Sequence, residues 1–515
     1  MIIFQLIIAI IMVSFVYTLI RFYRFFRWFE YEIYEHLKRI PDANFSWWKI
    51  IREFLLSKDP YYNFFCIINR LADKYESVGI FRFLPKPATH IIVTDPVIAR
   101  KILTSGDFLD KSMQYQLFRF LILDNLFNTL RQHKREMSPH FRMESLNFYF
   151  SNVEKYLKLL NENIDKCIDD GDGRFKDAKP IVASFIADTI GVNFFNIEFN
   201  SIGSCFKVAD CVDVVDETIH VASKSLANLA IYFTHNRNLF LSLISRRLTD
   251  VCHRLNSAVL QIITNRIKEN VKTENCQPVS NATTTTLLDT LIRTRLNDGN
   301  VSKIEEIRAH INLILIAGYD TTKTTLTWCL YQLGHHQQIQ ERLYNEIRQF
   351  LNELDDNNEK ITIMNMKRLK FLECCILETL RLYPPGLIIG RCGRRPLLLA
   401  NGMCIPAGVN VLFNLWKMGR NPKYFKQPDM FNPERFLTDT ETDHHISIRA
   451  AFLPFSAGIR SCIGKEYAMM QMRLFLINII GRYMIQSLDN YGDTIPEINM
   501  IHPAAQFPIQ FQRRN

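Results

Sequence analysis

The chain has 515 residues, 48% of them hydrophobic and 22% charged, with a formal net charge of +10. That balance excludes an intrinsically disordered chain and leaves material for a large core. The excess of basic residues suits anionic lipid or an acidic protein partner, and with no zinc-finger, RNA-recognition or basic-zipper pattern nucleic acid is the weakest candidate.

In chain order, Met1 to Ile20 comes first, almost wholly apolar and without a charged side chain. As a helix, such a run spans about 28 Å, close to the hydrocarbon thickness of a bilayer. Arg21, Arg24 and Arg27 follow at helical spacing, interleaved with Phe22, Tyr23, Phe25, Phe26, Trp28 and Phe29. Positive charge and aromatic residues just after an apolar run mark its cytosolic, interfacial end. A cleavable signal peptide would carry its positive charge first and small residues before the cut, and neither is present. The expected division is a single transmembrane anchor at 1–20, a basic and aromatic linker at 21–45 with Pro41 as hinge, and one globular part at 46–515.

Gly79 to Leu84 and His90 to Thr94 read as short strands around Pro85-Lys86-Pro87. Asp95-Pro96 then opens a helix. Leu130 to Arg135 is a basic helical stretch, and Phe148 to Phe199 and Val208 to Val271 are helical and amphipathic in patches. Asn270 to Thr286 is polar and reads as a surface linker.

Ile304 to Leu333 reads as one helix of about 45 Å. At its centre stands Ala317-Gly318-Tyr319-Asp320-Thr321-Thr322. Gly318 weakens the helix, and Thr321 can return its hydroxyl to a backbone carbonyl and open the ladder. Asp320 and Thr321 could then relay protons. A Thr-rich buried helix would look the same.

Glu378 and Arg381 share one helical face in Phe371 to Tyr383, which Pro384-Pro385 ends. Their apolar neighbours favour a buried network over a surface ion pair. Leu387 to Arg391 reads as a strand, Gly402 to Leu415 as a hairpin around Ile405-Pro406-Ala407-Gly408, and Pro503-Ala504-Ala505 as a turn. The twelve cysteines include no C-x-x-C pair, which favours buried free thiols in a reducing compartment.

The stretch that organises the rest is Pro454 to Gly464, with the pattern Phe-x-x-Gly-x-Arg-x-Cys-x-Gly before an apolar helix. Backbone N–H groups and a helix N-terminus would stabilise a thiolate at Cys462. Gly458 and Gly464 would let the backbone turn and a flat macrocycle lie close. Arg460 has the fork geometry to bind a carboxylate. The plainer alternative is a structural cysteine in an ordinary loop.

This loop resembles the haem-binding loop of the cytochrome P-450 monooxygenases. Ala317 to Thr322, Glu378 to Arg381 and Pro433 to Phe436 resemble three further motifs of that family, in its order. The stretch Leu372 to Pro384 looks most like the microsomal branch that handles fatty acids and foreign compounds. The resemblance implies a mainly α fold with a small β-rich lobe, the cytochrome P-450 fold behind a single N-terminal transmembrane helix. It implies haem b with Cys462 as axial thiolate, and Phe455, Gly458, Arg460, Gly464 and Lys134 as further haem-binding residues. Asp320 and Thr321 would be catalytic. Ala317, Gly318, Leu387, Ile388 and Ala504 would line the substrate pocket. Glu378, Arg381 and Arg435 would form a structural triad, and Arg391 would reach a propionate. With Ala317 where some fatty-acid-oxidising members have a glutamate, the haem would be held non-covalently.

The implied reaction inserts one oxygen atom from O2 into a lipophilic substrate, a fatty acid, steroid-like or foreign compound. Electrons would come from NADPH through a flavoprotein reductase, with cytochrome b5 as a further candidate donor. The place would be the endoplasmic reticulum membrane, with the catalytic part in the cytosol. The family's Trp-x-x-x-Arg is replaced here by Leu130 and Lys134, and the segment before it (Leu123 to Thr129) looks short. Two alternatives therefore stand beside the monooxygenase: a haem-thiolate peroxide isomerase and a haem-binding protein that has lost catalysis. The Asp320-Thr321 pair, which peroxide-rearranging relatives tend to lack, weighs against the first.

Overall fold

The computed structural model of the chain describes residues 37, 39–43, 60–83, 90–112, 115, 130–207, 210–223, 246–274, 285–296, 302–437, 448, 451–492, 496–497, 502–503 and 506–514. The expected anchor at 1–20, the Pro85-Lys86-Pro87 turn, the segment 123–129 and Ala504 lie outside the described residues. Among the described residues, no helix is long and apolar enough to cross a membrane.

The architecture is mainly α with small sheets. In chain order the helices are α1 (Pro60–Lys74), α2 (Pro96–Thr104), α3 (Leu130–Met137), α4 (Met143–Asp169), α5 (Lys179–Ile190), α6 (Asp210–Ser223) and α7 (Arg246–Glu274). Then come α8 (Leu287–Leu296), α9 (Ser302–Ile314), α10 (Asp320–His335), α11 (Gln337–Asp356), α12 (Lys370–Leu382), α13 (Leu415–Met418) and α14 (Lys465–Arg482). The long amphipathic stretches of the sequence break where turn chemistry intervenes. After α4 the chain runs through Gly173, whose φ of +69° lies in the left-handed region, and a short strand before α5 begins.

The larger sheet is built from β1 (Ile80–Phe83), β2 (His90–Val93) and β3 (Asp110–Lys111), joined by two strands from far along the chain. A separate three-stranded sheet begins with β4 (Arg174–Phe175). The next strands are β5 (Ile388–Cys392), β6 (Leu397–Leu398), β7 (Cys404–Ile405) and β8 (Asn410–Asn414), followed by β9 (Tyr483–Ser487), β10 (Pro496–Glu497), β11 (His502–Pro503) and β12 (Ile509–Arg513). The large sheet has the order β1-β2-β8-β5-β3, antiparallel except for the β2/β8 pair. Residues 39–43 lie along β1, where Arg82 N–H donates to Pro41 O at 2.7 Å and Ala43 N–H to Arg82 O at 3.0 Å. Asp95 caps α2 as its sequence suggests, with its carboxylate accepting from the N–H groups of Val97 and Ile98 at 2.9 Å.

The stretch around Ile405-Pro406-Ala407-Gly408 is not a hairpin turn. It joins strands of two different sheets, since β7 pairs with β6 and β8 pairs with β2 and β5. The apolar run of β8, buried at all five positions, needs neighbours on both edges and both faces. That requirement outweighs the local turn signal.

The main core forms around α10, which packs on α5 and α12, and around α14, which packs on α4 and α11. Trp328 on α10 is fully buried and stacks on Tyr383, with ring centroids 3.9 Å apart. The threonines of α10 tolerate burial because their hydroxyls return to carbonyls one turn back. Thr325 donates to Thr321 O at 2.9 Å and Thr327 to Lys323 O at 2.8 Å. Ten of the cysteines among the described residues are free thiols, of which Cys167, Cys205 and Cys462 are exposed, not buried.

Candidate functional site

The long helix expected at Ile304 to Leu333 is present as α9 and α10, with a wide π turn at Leu315–Tyr319 between them. The opening falls at the position where Gly318 and Thr321 predict it. Thr321 Oγ1 donates to Ala317 O at 2.7 Å. Ala317 is exposed although Leu315, Ile316, Tyr319 and Asp320 around it are buried, so this face of an interior helix borders a cleft. A Cβ at Gly318 would meet Ile190 Cδ1 on α5 at an ordinary 3.5 Å. Leu387 is only 5% exposed and belongs to the main core, while Ile388 is half-buried.

The cysteine loop is a compact structure tied to α2 and α3. Cys462 N–H donates to Phe455 O at 3.0 Å, and a 3-10 turn spans Gly458–Arg460. Gly458 has φ +72°, and a Cβ there would lie 2.3 Å from Leu103 O. Only glycine fits, both for the backbone and for the contact. We expect Gly458→Ala to lower the chemical-denaturation midpoint by an amount corresponding to about 2 kcal/mol or more. Gly464 differs, for its φ is −86° and a Cβ would meet Phe141 at an ordinary 3.6 Å. Nothing in the backbone requires glycine there.

Cys462 is itself exposed on the wall of this loop, yet the protein surrounds it closely enough that burial pushes its thiol up. The Gly464 N–H and the charges of Lys111 and Lys134 act the other way and only partly offset the burial. In the chain alone, therefore, the sulfur is a thiol near neutral pH. A bound metal ion deprotonates such a ligand outright. Lys134 Nζ donates to Ile459 O at 2.9 Å, which fixes a cation beside the loop where the sequence placed one. Phe455 is half-buried, with Lys465 Nζ 6.0 Å from its ring centroid.

Next to the loop, cations converge. Arg460 Nε donates to Leu109 O at 2.8 Å, and burial, with the neighbouring Arg391, pushes its guanidinium down to about 10. Arg391 on β5 is only 1% exposed, and burial lowers its guanidinium too. Its Nε has no hydrogen-bond partner among the described residues. Lys111 on β3 is pushed down by burial and then by Arg391 and Arg460. Tyr115 feels burial as an upward push, but Lys111 and Arg391 outweigh it and hold the phenol below its usual value. Asp110 offsets part of the repulsion, but Arg394 holds both its oxygens at 2.7 Å. Buried like charges are costly unless an anion joins them. The cluster with its orphaned Arg391 Nε fits the two carboxylates of a haem. The sequence pointed to Arg460, Arg391 and Lys134; it gave no signal for Lys111 and Tyr115, which become neighbours of Arg391 only when β3 pairs with β5.

Behind the loop, Glu378 is fully buried and binds Arg381 through both oxygens, at 2.6 and 2.7 Å. The same carboxylate accepts from Arg435 Nε at 3.0 Å and from Asn432 N–H at 2.8 Å. Arg381 continues to the carbonyls of Gly419, Pro428 and Met430. The three side chains thus hold one buried network, as their sequence context suggested.

A sequence profile of the Cytochrome P450 family matches residues 41–505. This chain belongs to that family. It is a P450 monooxygenase, and its cofactor is haem b with an axial cysteine thiolate. Cytochrome P450 4c21 of Blattella germanica is 26% identical over 86% of this chain and 87% of its own length. Cytochrome P450 4F1 of Rattus norvegicus is 28% identical over 70% of this chain and 69% of its own. Leukotriene-B4 omega-hydroxylase 3 of Mus musculus is likewise 28% identical over 70% and 69%. These relatives fit the fatty-acid and xenobiotic-oxidising branch.

Proposed function

We propose that this P450 inserts one atom of O2 into a lipophilic substrate, the second atom leaving as water, with electrons from NADPH through a flavoprotein reductase. Fatty acids are the first substrates to test, because one relative is named an omega-hydroxylase. Steroid-like and foreign compounds follow. The observation that carries the reading is the hydroxyl of Thr321 turned back to Ala317 O on a helix opened at that point. A peroxide isomerase or a lapsed haem protein has no need of a proton-handling pair there.

When bound, the haem supplies the activation of O2. The chain's residues do the rest. Cys462 would hold the haem iron through its thiolate, and Phe455, Gly458 and Gly464 would shape the loop beside it. Arg391, Arg460, Lys111 and Lys134 would bind the haem carboxylates. Ala317 carries no carboxylate to esterify the haem, so the cofactor is held non-covalently. Thr321 holds a proton at Oγ1, and Asp320 next to it takes up a proton and passes it on. Ala317 and Ile388 border the substrate. Ala504 is retained as a pocket residue on its resemblance alone. Glu378, Arg381 and Arg435 are structural.

In this reading residues 1–20 anchor the protein in the endoplasmic reticulum membrane, 21–45 link it, and 46–515 form the catalytic domain on the cytosolic side. Arg135 and Lys465 are exposed near the cysteine loop and suit an acidic docking surface on the reductase or on cytochrome b5. Charge reversal at Lys465 should slow reduction several-fold at low salt and leave substrate binding unchanged; an unchanged reduction rate would refute the docking surface. The test of function is turnover with reductase, NADPH and a long-chain fatty acid. Oxygen uptake matched by hydroxylated product supports the monooxygenase. Peroxide isomerisation alone, or no reaction of either kind across lipophilic substrates, would overturn it.

A further inference from the structure

The residues on either side of the Asp320-Thr321 pair form a charge network that crosses to a second helix. Lys323, three residues after Asp320, is 6% exposed. Its Nζ lies 3.3 Å from Asp320 Oδ1 and is also ion-paired with Asp216 Oδ1 on α6. Tyr319 completes the link, with its hydroxyl donating to Asp216 Oδ2 at 3.0 Å and its ring 4.6 Å from Lys323 Nζ. Asp213, one turn before Asp216, also feels the charge of this ammonium. Asp216 is 40% exposed in its side chain, whereas Asp320 is fully buried.

The asymmetry in burial decides what Lys323 does. Asp216 reaches water. Asp320 is enclosed by protein, and burial disfavours the charge of a carboxylate unless cations lie beside it. An ammonium set between the two therefore matters most to the buried one. Lys323 also needs both carboxylates, since burial acts against its charge and Asp216 and Asp320 restore it. The same three groups tie the opened segment of the central helix to α6.

We infer that Lys323 is a positioning residue that keeps Asp320 ionised and in place beside Thr321, and that Asp216 anchors it to α6. This rests on the reading of Asp320 and Thr321 as the proton-handling pair. Tyr319 stiffens the link from the ring side. An ionised, fixed Asp320 can accept a proton and pass it on; a protonated one turned from its partner cannot. Electrons would then be spent on releasing peroxide instead of forming product.

The test uses the full-length, haem-loaded protein. Infrared difference spectra compare the parent with Asp320→Asn, and Lys323→Gln with the double variant Lys323→Gln/Asp320→Asn. The parent should show an ionised carboxylate at Asp320, and Lys323→Gln a buried protonated carboxyl that the double variant lacks. In turnover, Lys323→Gln should lower product formed per NADPH by about tenfold and raise peroxide release, and Lys323→Arg should restore both. A protonated Asp320 in the parent overturns the proposal, even if Lys323→Gln fails to fold. So does a Lys323→Gln variant with no new carboxyl band, or one with the band and an undiminished product yield. A parent that forms no product from O2 would refute the monooxygenase reading, while the infrared comparison would still decide the role of Lys323.

Discussion

Replacing Glu378 with alanine is expected to destabilise the protein by about 3 to 5 kcal/mol. The carboxylate is fully buried and accepts four hydrogen bonds, two from Arg381, one from Arg435 and one from Asn432 N–H. Its loss leaves two guanidinium groups facing each other without a counter-charge. The damage spreads, because Arg381 also gathers the carbonyls of Gly419, Pro428 and Met430 into one place. Domains of ordinary stability have about 5 to 15 kcal/mol in total, so little folded protein should accumulate. Chemical denaturation of whatever folds, beside the milder Glu378→Gln, gives the measurement. A midpoint shift below about 1 kcal/mol would show that the network carries little of the fold.

Cys462→Ser is expected to do the opposite: remove the activity and keep the fold. The side chain is exposed, and the protein's own hold on the sulfur is a Gly464 N–H, which a hydroxyl also satisfies. The loop stands on Gly458 and on the Cys462 N–H bond to Phe455 O, neither of which the substitution touches. Helix content by circular dichroism should match the parent. The melting temperature should fall, because stabilisation by tightly bound haem is lost. NADPH-dependent oxygenation should drop below detection, since a hydroxyl does not donate electron density as a thiolate does. Together the two variants separate the residues that hold the fold from the one that holds the cofactor.

The site was legible in the sequence wherever its chemistry is local. Thr321 and Ala317 are one turn apart, so the defect between them follows from residue types alone. Glu378 and Arg381 share a helical face, and the Asp95 cap sits next to the Pro96 it precedes. What depends on distant pairing was not legible. Lys323 meets Asp216 across 107 positions, and Lys111 meets Arg391 only through strand pairing. The turn at Ile405 to Gly408 was misread for the same reason, because pairing with β2 and β5, not the local turn, decides where β8 goes.

The most direct test of the account is the carbon monoxide difference spectrum of the reduced, membrane-expressed protein, measured beside Cys462→Ser. A strongly red-shifted Soret band in the parent that is missing from the variant is the predicted result, and it would establish Cys462 as the thiolate on the haem iron. A parent spectrum typical of histidine- or thiol-ligated haem, or a red-shifted band that survives in Cys462→Ser, would contradict it.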